Sequence, residues 1–259
     1  MKRILTIAGS DSGGGAGIEA DLKTISALGG YGCTAITAVT AQNTLGVAAV
    51  HALPAEFVAL AIKMVLDDIG ADAVKLGMLA NETIIRAVAG ALPANIPLVL
   101  DPVMVATSGA VLLEEGAIDA MRQLLIPRAT LVTPNLPEAQ KLTGLPVGTE
   151  AERIAAGRAL LAMGAQAALI KGGHGGEDIL TDYLITAETM EAISLPRIET
   201  RNTHGTGCTM ASAIATGLAQ GMSLLESVRR ARRYLQEAIR TAPGFGAGHG
   251  PVNHLVRVT

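Results

Sequence analysis

Short apolar runs alternate with amphipathic segments along most of this 259-residue chain, and this alternation is what most constrains its fold. The runs end at glycine, proline or polar residues and have the lengths typical of buried strands. Six of them are predicted as strands: Arg3–Ala8, Tyr31–Thr40, Ala73–Leu76, Pro97–Leu100, Thr130–Thr133 and Ala167–Ile170. Strand–helix alternation of this kind predicts an α/β fold, a mostly parallel central sheet with helices on both faces. No linker divides the chain, so we expect one domain over residues 1–259.

Helices are predicted between the strands and at the end of the chain. A helix that Pro54 opens is expected to turn Phe57, Leu60 and Met64 toward the core. The remaining expected elements are a hairpin at a sheet edge, from Ile179–Ile185 and the segment around Ile193–Ile198, and two closing helices, Cys208–Gln220 and Leu224–Thr241.

Composition excludes several classes of protein. The formal net charge of −3 argues against a nucleic-acid or anionic-membrane surface. Cys33 and Cys208 give no disulfide framework. Thr24–Ala55 and Thr203–Leu225 lack formal charge, but glycines and polar residues interrupt them, so we interpret both as buried soluble structure. The first apolar run is too short for a signal peptide, and a cytoplasmic protein is expected.

Polar or functional side chains recur where the predicted strands end. These positions are Gly9, Met78, Asp101, Asn135 and Lys171. Ligands of open α/β sheets bind outside the carboxyl ends of the strands. We therefore expect a ligand site at this edge of the sheet.

The segment from Asn202 to Gly217, NTHGTGCTMASAIATG, has the features of an anion-binding helix start. Gly205 and Gly207 would let an anion approach the unpaired N–H groups of the first helical turn. Cys208 would lie at the positive end of the helix dipole, where a thiol pKa is expected to fall below about 8.5. From spacing alone, a buried helix with an inert cysteine is an equal alternative.

Other motifs in the chain indicate which kinds of ligand site it can form. Residues 15–20 fit G-x-G-x-x-A, but no acidic residue follows between Thr24 and Ala55 to hold a ribose, which argues against a dinucleotide site. No lysine follows these glycines as a P-loop requires, and the histidines have no metal-ligand spacing. Asn135-x-x-Glu138 suits Mg²⁺ and phosphate, but it is also an ordinary helix N-cap pattern.

Taken together, the motifs resemble the ribokinase-like superfamily, and within it the hydroxymethylpyrimidine/phosphomethylpyrimidine kinases of thiamine biosynthesis. The resemblance covers nearly the whole chain, in the order AGSDSGGGAGIEADLKTISALG, TAVTAQNT, KLGML, DPVMVATSG, TPNLPEA, IKGGH, THGTGCT and GHGPVNH. This branch has cysteine where related kinases carry an aspartate base, as here at Cys208. Thr107 and Ala110 depart from the residues that many members have. The implied fold is a three-layer sandwich.

The resemblance also implies roles for individual residues. Cys208 would be the base beside an anion hole formed by Gly205, Thr206 and Gly207. The substrate pocket would include Gly9, Ala16, Asp21, Gln42, Met78 and Val105. Nucleotide contacts would come from Asp101, Asn135, Lys171 and Thr203, and Mg²⁺ would be bound through Glu138 and Asp101.

The implied activity is ATP- and Mg²⁺-dependent phosphorylation of 4-amino-5-hydroxymethyl-2-methylpyrimidine, and then of its monophosphate to the diphosphate. The resemblance also implies a homodimer with a small pyrimidine substrate, while the net charge predicts no nucleic-acid or membrane partner. A pyridoxal or pyridoxine kinase of the same branch is the nearest alternative. A non-catalytic pyrimidine-binding sensor is the alternative from a different class.

Overall fold

Nine strands form one sheet in the computed structural model, which describes residues 1–106, 109–110, 112–114, 116–173 and 178–256. The strands are β1 (Arg3–Asp11), β2 (Tyr31–Asn43), β3 (Gly46–Ala52), β4 (Ala73–Leu76), β5 (Leu98–Leu100), β6 (Leu131–Val132), β7 (Ala167–Ile170), β8 (Ile179–Thr186) and β9 (Met190–Pro196). Their order across the sheet is β3-β2-β1-β4-β5-β6-β7-β8-β9.

The six inner strands, from β2 through β7, run parallel, and antiparallel strands close both edges. Strand β3 returns beside β2, while β8 and β9 form the predicted hairpin at the other edge. The predicted mostly parallel sheet is confirmed. Because parallel strands end at the same edge, the polar residues that follow them are brought together.

Helices cover the sheet. They are α1 (Gly17–Ala27), α2 (Ala55–Asp68), α3 (Glu82–Ala91), α4 (Ala117–Leu124), α5 (Leu136–Thr143), α6 (Glu150–Ala162), α7 (Thr206–Ala219) and α8 (Leu224–Arg240). None of the described helices is both long and apolar enough to cross a membrane. The uncharged segment that begins at Thr203 contains α7, whose residues are mostly buried, as predicted.

Two apolar layers form the core, one on each side of the sheet. Successive strand residues point to opposite faces, so Ala73 belongs to the layer of α7 and α8, whereas Val74 belongs to the layer of α2, α3 and α4. The small residues of α7 let this helix pack directly over the central strands. The site described below lies where α7 begins.

The predicted inward face of α2 is wrong. Phe57, Leu60 and Met64 are 56%, 53% and 63% exposed, whereas Val58 and Ile62 are fully buried. Nearly the whole circumference of this helix is apolar, so periodicity alone did not determine which stripe faces the core. As a result, α2 presents large apolar side chains to the surface.

Candidate active site

A cavity of about 560 Å³ opens at the carboxyl edge of the parallel strands, in front of the start of α7. All but one of the predicted site residues line it. They are Gly9, Ala16, Gln42, Met78, Asp101, Val105, Asn135, Glu138, Lys171, Thr203, Gly205, Thr206, Gly207 and Cys208. Residues from seven separate chain segments therefore meet at one site. Of the two departures from the family pattern, Ala110 lies outside this lining, and Thr107 lies outside the described residues.

The N-terminus of α7 has the geometry of an anion hole. Gly205 precedes the helix with a φ of +81°, which favours glycine. A Cβ at this position would lie 1.8 Å from the carbonyl oxygen of Gly15, so the two glycine loops are packed directly against each other. The N–H groups of Gly207 and Cys208 have no backbone partner among the described residues and remain available to an anion.

Cys208 lies at this helix start, half-buried, and lines the cavity. The expectation that the helix dipole lowers its pKa is wrong. Burial raises the pKa of Cys208 to about 11, although the positive charge of Lys75 and the backbone N–H of Gly17 act in the opposite direction. Removal of the thiolate from water therefore outweighs the favourable end of the helix.

Asp101 and Lys171 form an ion pair at the cavity wall, with Lys171 Nζ 2.9 Å from Asp101 Oδ1. The hydroxyl of Thr133 donates to the same oxygen at 3.1 Å. Burial opposes the charge on Lys171, but Asp101 and Glu138 outweigh it and raise the lysine pKa. A hypothetical Cβ on Gly207 would lie 3.3 Å from Asp101 Oδ2 and 3.4 Å from Lys171 Nζ, so this pair borders the anion hole.

Glu138 caps α5 and also lines the cavity. The backbone N–H of Asn135 donates to Glu138 Oε2 at 2.8 Å, and Glu138 N–H donates to Asn135 Oδ1 at 2.9 Å, which is a complete capping box. Burial raises the pKa of Glu138 to about 7. The helix-cap interpretation of Asn135-x-x-Glu138 is confirmed, and it leaves the carboxyl group on the cavity wall beside Asp101.

These carboxylates fit a magnesium ion only in part. The described residues contain no cluster of three or more His, Cys, Asp or Glu side chains that would bind a metal alone. Asp101 and Glu138 nevertheless offer hard oxygen ligands, and Mg²⁺ is commonly held by one or two carboxylates together with substrate phosphates and water. The site therefore suits a cation that arrives with a nucleotide.

Another part of the cavity wall is formed by Gly9, Met78, Val105 and Gln42. Met78 is buried, and its Sδ approaches the Cα of Gly9 so closely that a Cβ there would be 2.8 Å away. Val105 is 41% exposed. Gln42 lies next to the last residue of β2 and lines the cavity with its amide near His204. An apolar slot with one directed amide suits a small heteroaromatic ring.

Asp11 and His204 form a pair beside Gln42 that the sequence analysis missed. His204 Nε2 lies 2.8 Å from Asp11 Oδ2 and 3.5 Å from Gln42 Nε2. Burial alone would raise the pKa of Asp11, but hydrogen bonds from His204, Gln42 and two loop N–H groups hold it well below its usual range. No local signal identifies this pair, because its members are separated by 193 positions.

Asp21 is the predicted site residue that the structure does not place on the cavity wall. It is fully buried behind the wall and bonded to Lys75. The predicted position of Asp21 therefore differs from the structure, because its charge neutralises a buried lysine instead of facing the cavity.

The cavity also extends toward α8 and the β8–β9 hairpin, where no residue was predicted. An apolar wall is formed there by Leu180, Ile198, Leu235 and Ile239. Arg232 and Asp182 form a buried ion pair beside it, with an Nε to Oδ2 distance of 2.9 Å. This extension and Gln42 line the same cavity as the start of α7.

Comparison with known proteins identifies the family of the chain. The model of the phosphomethylpyrimidine kinase family matches residues 11–253. The chain is 50% identical to the thiamine biosynthesis bifunctional protein ThiED of Geobacter sulfurreducens over 98% of its own length and 52% of that protein. The chain thus spans about half of that relative. It is 49% identical to a hydroxymethylpyrimidine/phosphomethylpyrimidine kinase of Rhizobium meliloti, over 98% of this chain and 97% of the relative.

A solved structure shares the fold over nearly the whole chain. The pyridoxal kinase of Staphylococcus aureus, in complex with AMP-PCP and pyridoxal, has a TM-score of 0.90 at 36% identity and covers 98% of this chain and 94% of its own. The predicted ribokinase-like α/β fold and the sequence resemblance are both confirmed. With full-length identity near one half and a family match over most of the sequence, the chain belongs to the phosphomethylpyrimidine kinase family.

Proposed function

We propose that this chain transfers the γ-phosphoryl group of ATP to 4-amino-5-hydroxymethyl-2-methylpyrimidine and then to the resulting monophosphate. The observation that carries the proposal is one cavity lined by the start of α7, the Gln42 amide, the Asp101–Lys171 ion pair and an apolar wall near Leu235. The family relationship supports the same reaction. Release of ADP that depends on the pyrimidine tests it directly, and its absence would reject the proposal.

The residues of the cavity suit phosphoryl transfer from one end to the other. The nucleotide base would rest on the apolar wall near Leu235, with its phosphates directed toward Lys171. The transferred group would lie over the N–H groups of Gly207 and Cys208, where its charge spreads in the transition state. Thr203, Gly205 and Thr206 shape this centre. Cys208 would accept the proton of the attacking hydroxyl group.

Magnesium, when bound with ATP, would neutralise charge on the nucleotide phosphates. Asp101 and Glu138 are the residues that would hold it, directly or through water, and Asn135 keeps Glu138 in place. Only the ionised form of Glu138 would attract the cation, and its pKa near 7 makes this form sensitive to pH.

We expect Glu138→Gln to raise the Mg²⁺ concentration required for half-maximal activity about 10- to 100-fold. The amide keeps the capping interaction but removes the charge. In the parent, Mg²⁺ affinity should increase as pH rises through about 7, because the carboxyl group then loses its proton. The variant should lack this pH dependence. Magnesium titrations at several pH values measure both effects.

Glu152→Gln is the matched control, since Glu152 caps α6 in the same way with Thr149 but does not line the cavity. It should leave the Mg²⁺ requirement unchanged. Identical Mg²⁺ curves for Glu138→Gln and the parent would assign Glu138 a purely structural role.

Gln42 is proposed to recognise the edge of the aminopyrimidine ring. Its amide can donate and accept together, which suits an amino group beside a ring nitrogen. His204 and Asp11 lie against this amide and would fix its orientation. Gly9, Ala16, Met78 and Val105 would form the walls around the ring.

Gln42→Leu should cost about 1–3 kcal/mol of pyrimidine binding, which is a roughly 5- to 150-fold higher KM for the pyrimidine. The leucine would leave polar groups of the ring unpaired. The KM for ATP should change little, because the nucleotide end lies beyond the anion hole. Steady-state kinetics with each substrate varied in turn measure this difference. An equal rise of both constants would show that Gln42 supports the fold instead.

Two alternative functions are a pyridoxal kinase and a non-catalytic pyrimidine sensor. The similarity to a pyridoxal kinase structure supports a test of pyridoxal as a second substrate, although the relatives with higher identity are named as pyrimidine kinases. Those names also favour an enzyme over a pyrimidine sensor.

We also propose that residues 1–259 act as one cytoplasmic kinase domain that forms a homodimer. One continuous sheet supports a single domain. Strand β3 is an exposed edge with no formally charged residue, and Val50 is 42% exposed on it. The outward residues of α2 add Phe57, Leu60 and Met64 to the exposed apolar surface. Uncharged edges and large apolar surfaces of this kind are commonly covered by a partner.

A dimer should sediment with twice the 26.4 kDa mass of the chain. Val50→Lys combined with Leu60→Glu should yield monomers, because each change places a charge in the buried interface. Leu145→Lys, at an exposed position on the loop after α5, is the control and should remain dimeric. Parent protein that sediments as a monomer would contradict the proposal.

A further inference from the structure

A fully buried ion pair lies behind the wall of the cavity. Lys75 on β4 and Asp21 on α1 have no side-chain exposure, and Lys75 Nζ is 2.9 Å from both carboxylate oxygens. The hydroxyl groups of Thr6 and Ser212 also donate to Asp21, at 2.5 and 2.6 Å. The carboxylate therefore receives four hydrogen bonds and is held in one orientation.

The ammonium group of Lys75 points toward the ligand edge of the sheet. Lys75 lies two residues after Ala73 and shares its face, which is the face covered by α7. A Cβ on Gly77 would be 2.8 Å from Lys75 Nζ, so this glycine leaves the space that the charge occupies. The next residue, Met78, lines the cavity. The positive charge thus lies just beneath the cavity wall.

The same ion pair lies next to Cys208. Ser212 touches Asp21 and is one helical turn after Cys208, and residues four apart on a helix are neighbours on one face. The charged groups that influence the thiol are Lys75, Asp21, Asp101 and Lys171. Among them the effect of Lys75 on the Cys208 pKa is the largest, and it favours the thiolate.

A buried ion pair on its own usually adds little to the stability of a fold. Removing two charges from water is costly, and well-packed apolar residues of similar size often stabilise a fold equally well. The pair here is adjacent to the anion hole and to the thiol, where a fixed positive charge has a use. Its place in the fold therefore points to the reaction.

We propose that Lys75, held by Asp21, is a positioning residue that stabilises the thiolate form of Cys208, the form from which phosphoryl transfer to the alcohol begins. This inference rests on the proposed function of Cys208. In that step the Cys208 thiolate takes the proton of the acceptor hydroxyl, the hydroxyl oxygen bonds to the γ-phosphorus, and the bond from that phosphorus to the bridging oxygen breaks. The electron pair of that bond leaves with ADP.

The inference predicts different effects on the two acceptors, the alcohol and the monophosphate. The monophosphate carries an acceptor oxygen that is already largely ionised at neutral pH, because the second phosphate pKa is about 6. No proton needs to move to Cys208 in that step. Loss of Lys75 should therefore slow phosphorylation of the alcohol more than phosphorylation of the monophosphate.

The test compares two variants in a Cys33→Ala background, where Cys208 is the sole thiol. Lys75→Met combined with Asp21→Asn removes both charges together, so that no buried charge is left unpaired. Asp21→Asn alone removes only the negative charge. The rate of Cys208 alkylation by iodoacetamide against pH reports the thiol pKa in each protein, and turnover is measured with both acceptors.

The two variants should shift the alkylation profile in opposite directions. The double variant should alkylate about tenfold more slowly at a given pH below the thiol pKa, whereas Asp21→Asn should alkylate faster. Turnover of the alcohol by the double variant should fall about tenfold or more, and turnover of the monophosphate should fall much less. A general loosening of the structure would move both profiles the same way.

Unchanged profiles, or profiles that shift together, would overturn the inference and leave Lys75 a structural residue. If the double variant does not fold, Asp21→Asn is judged together with its melting temperature: faster alkylation at an unchanged melting temperature supports the inference, and unchanged or slower alkylation, or faster alkylation with a lowered melting temperature, rejects it. A parent enzyme that releases no ADP with the pyrimidine rejects the proposed function instead, and that result is separate from the alkylation readout.

Discussion

Replacing Cys208 with alanine should lower kcat for the pyrimidine alcohol by about 10²–10⁴-fold, the usual contribution of a general base. The thiol is the titratable group at the start of α7, beside the N–H groups that would hold the transferred phosphoryl. ATP binding should survive, because the backbone of Gly205–Cys208 is unchanged. The monophosphate should lose less activity, since its acceptor oxygen is already an anion.

The pH dependence of alcohol turnover provides a second test of the same role for Cys208. Burial raises the pKa of Cys208 to about 11, so the thiolate fraction increases with pH across the neutral and alkaline range. Turnover of the alcohol should increase with it, and the alanine variant should lose this increase. Cys208→Asp, which supplies the base usual in the superfamily, should recover part of the activity.

Cys33→Ala is the control for Cys208, because Cys33 is buried in β2 away from the cavity. It should keep normal turnover. Iodoacetamide should inactivate the parent, and bound pyrimidine should slow the inactivation. Near-normal alcohol turnover by Cys208→Ala would contradict the base assignment and leave Cys208 as part of the pocket wall.

Gly205→Ala should lower kcat for both acceptors by about 10²–10³-fold or more, the cost of losing an oxyanion-type donor. Gly205 has a φ of +81°, which costs an alanine roughly 1–2 kcal/mol. The new Cβ would also lie 1.8 Å from the Gly15 carbonyl oxygen, so the loops must separate and the start of α7 must shift. Both phosphorylations need the same anion hole, which distinguishes this variant from Cys208→Ala.

Gly90→Ala is the matched control, since a Cβ at Gly90 on α3 meets nothing within 4 Å. It should keep full activity and gain a little stability, because alanine is the better helix residue. The comparison needs kcat for both acceptors, the melting temperature and ATP binding for each protein. Full activity in a folded Gly205→Ala variant would show that the start of α7 does not hold the transferred group.

Local sequence patterns predicted the carboxyl ends of β4, β5, β6 and β7 to within one residue, because each pattern is complete within a few residues, whereas β1 and β2 run three residues further than predicted. Asp101 and Lys171 each follow a short apolar run, and parallel strands end at one edge, so their proximity follows from topology. The pattern N-x-x-E likewise predicted the cap at Asn135. The surface stripe of α2 was not predictable in this way, because apolar residues surround that helix.

The contacts that were missed join distant parts of the chain. Asp11 with His204 and Asp21 with Lys75 have no shared motif, and each pair depends on how the sheet places α1 against the start of α7 or β4. The predicted direction of the Cys208 pKa shift was wrong for a related reason. Its helix terminus is visible in the sequence, but the burial that outweighs the dipole belongs to the folded chain.

The most direct test of the account is coupled ADP release with hydroxymethylpyrimidine, its monophosphate and pyridoxal, each at matched concentration with MgATP. We expect both pyrimidines to support turnover, with a higher kcat/KM for hydroxymethylpyrimidine than for pyridoxal. A preference for pyridoxal, or ADP release that does not depend on any pyrimidine, would contradict it.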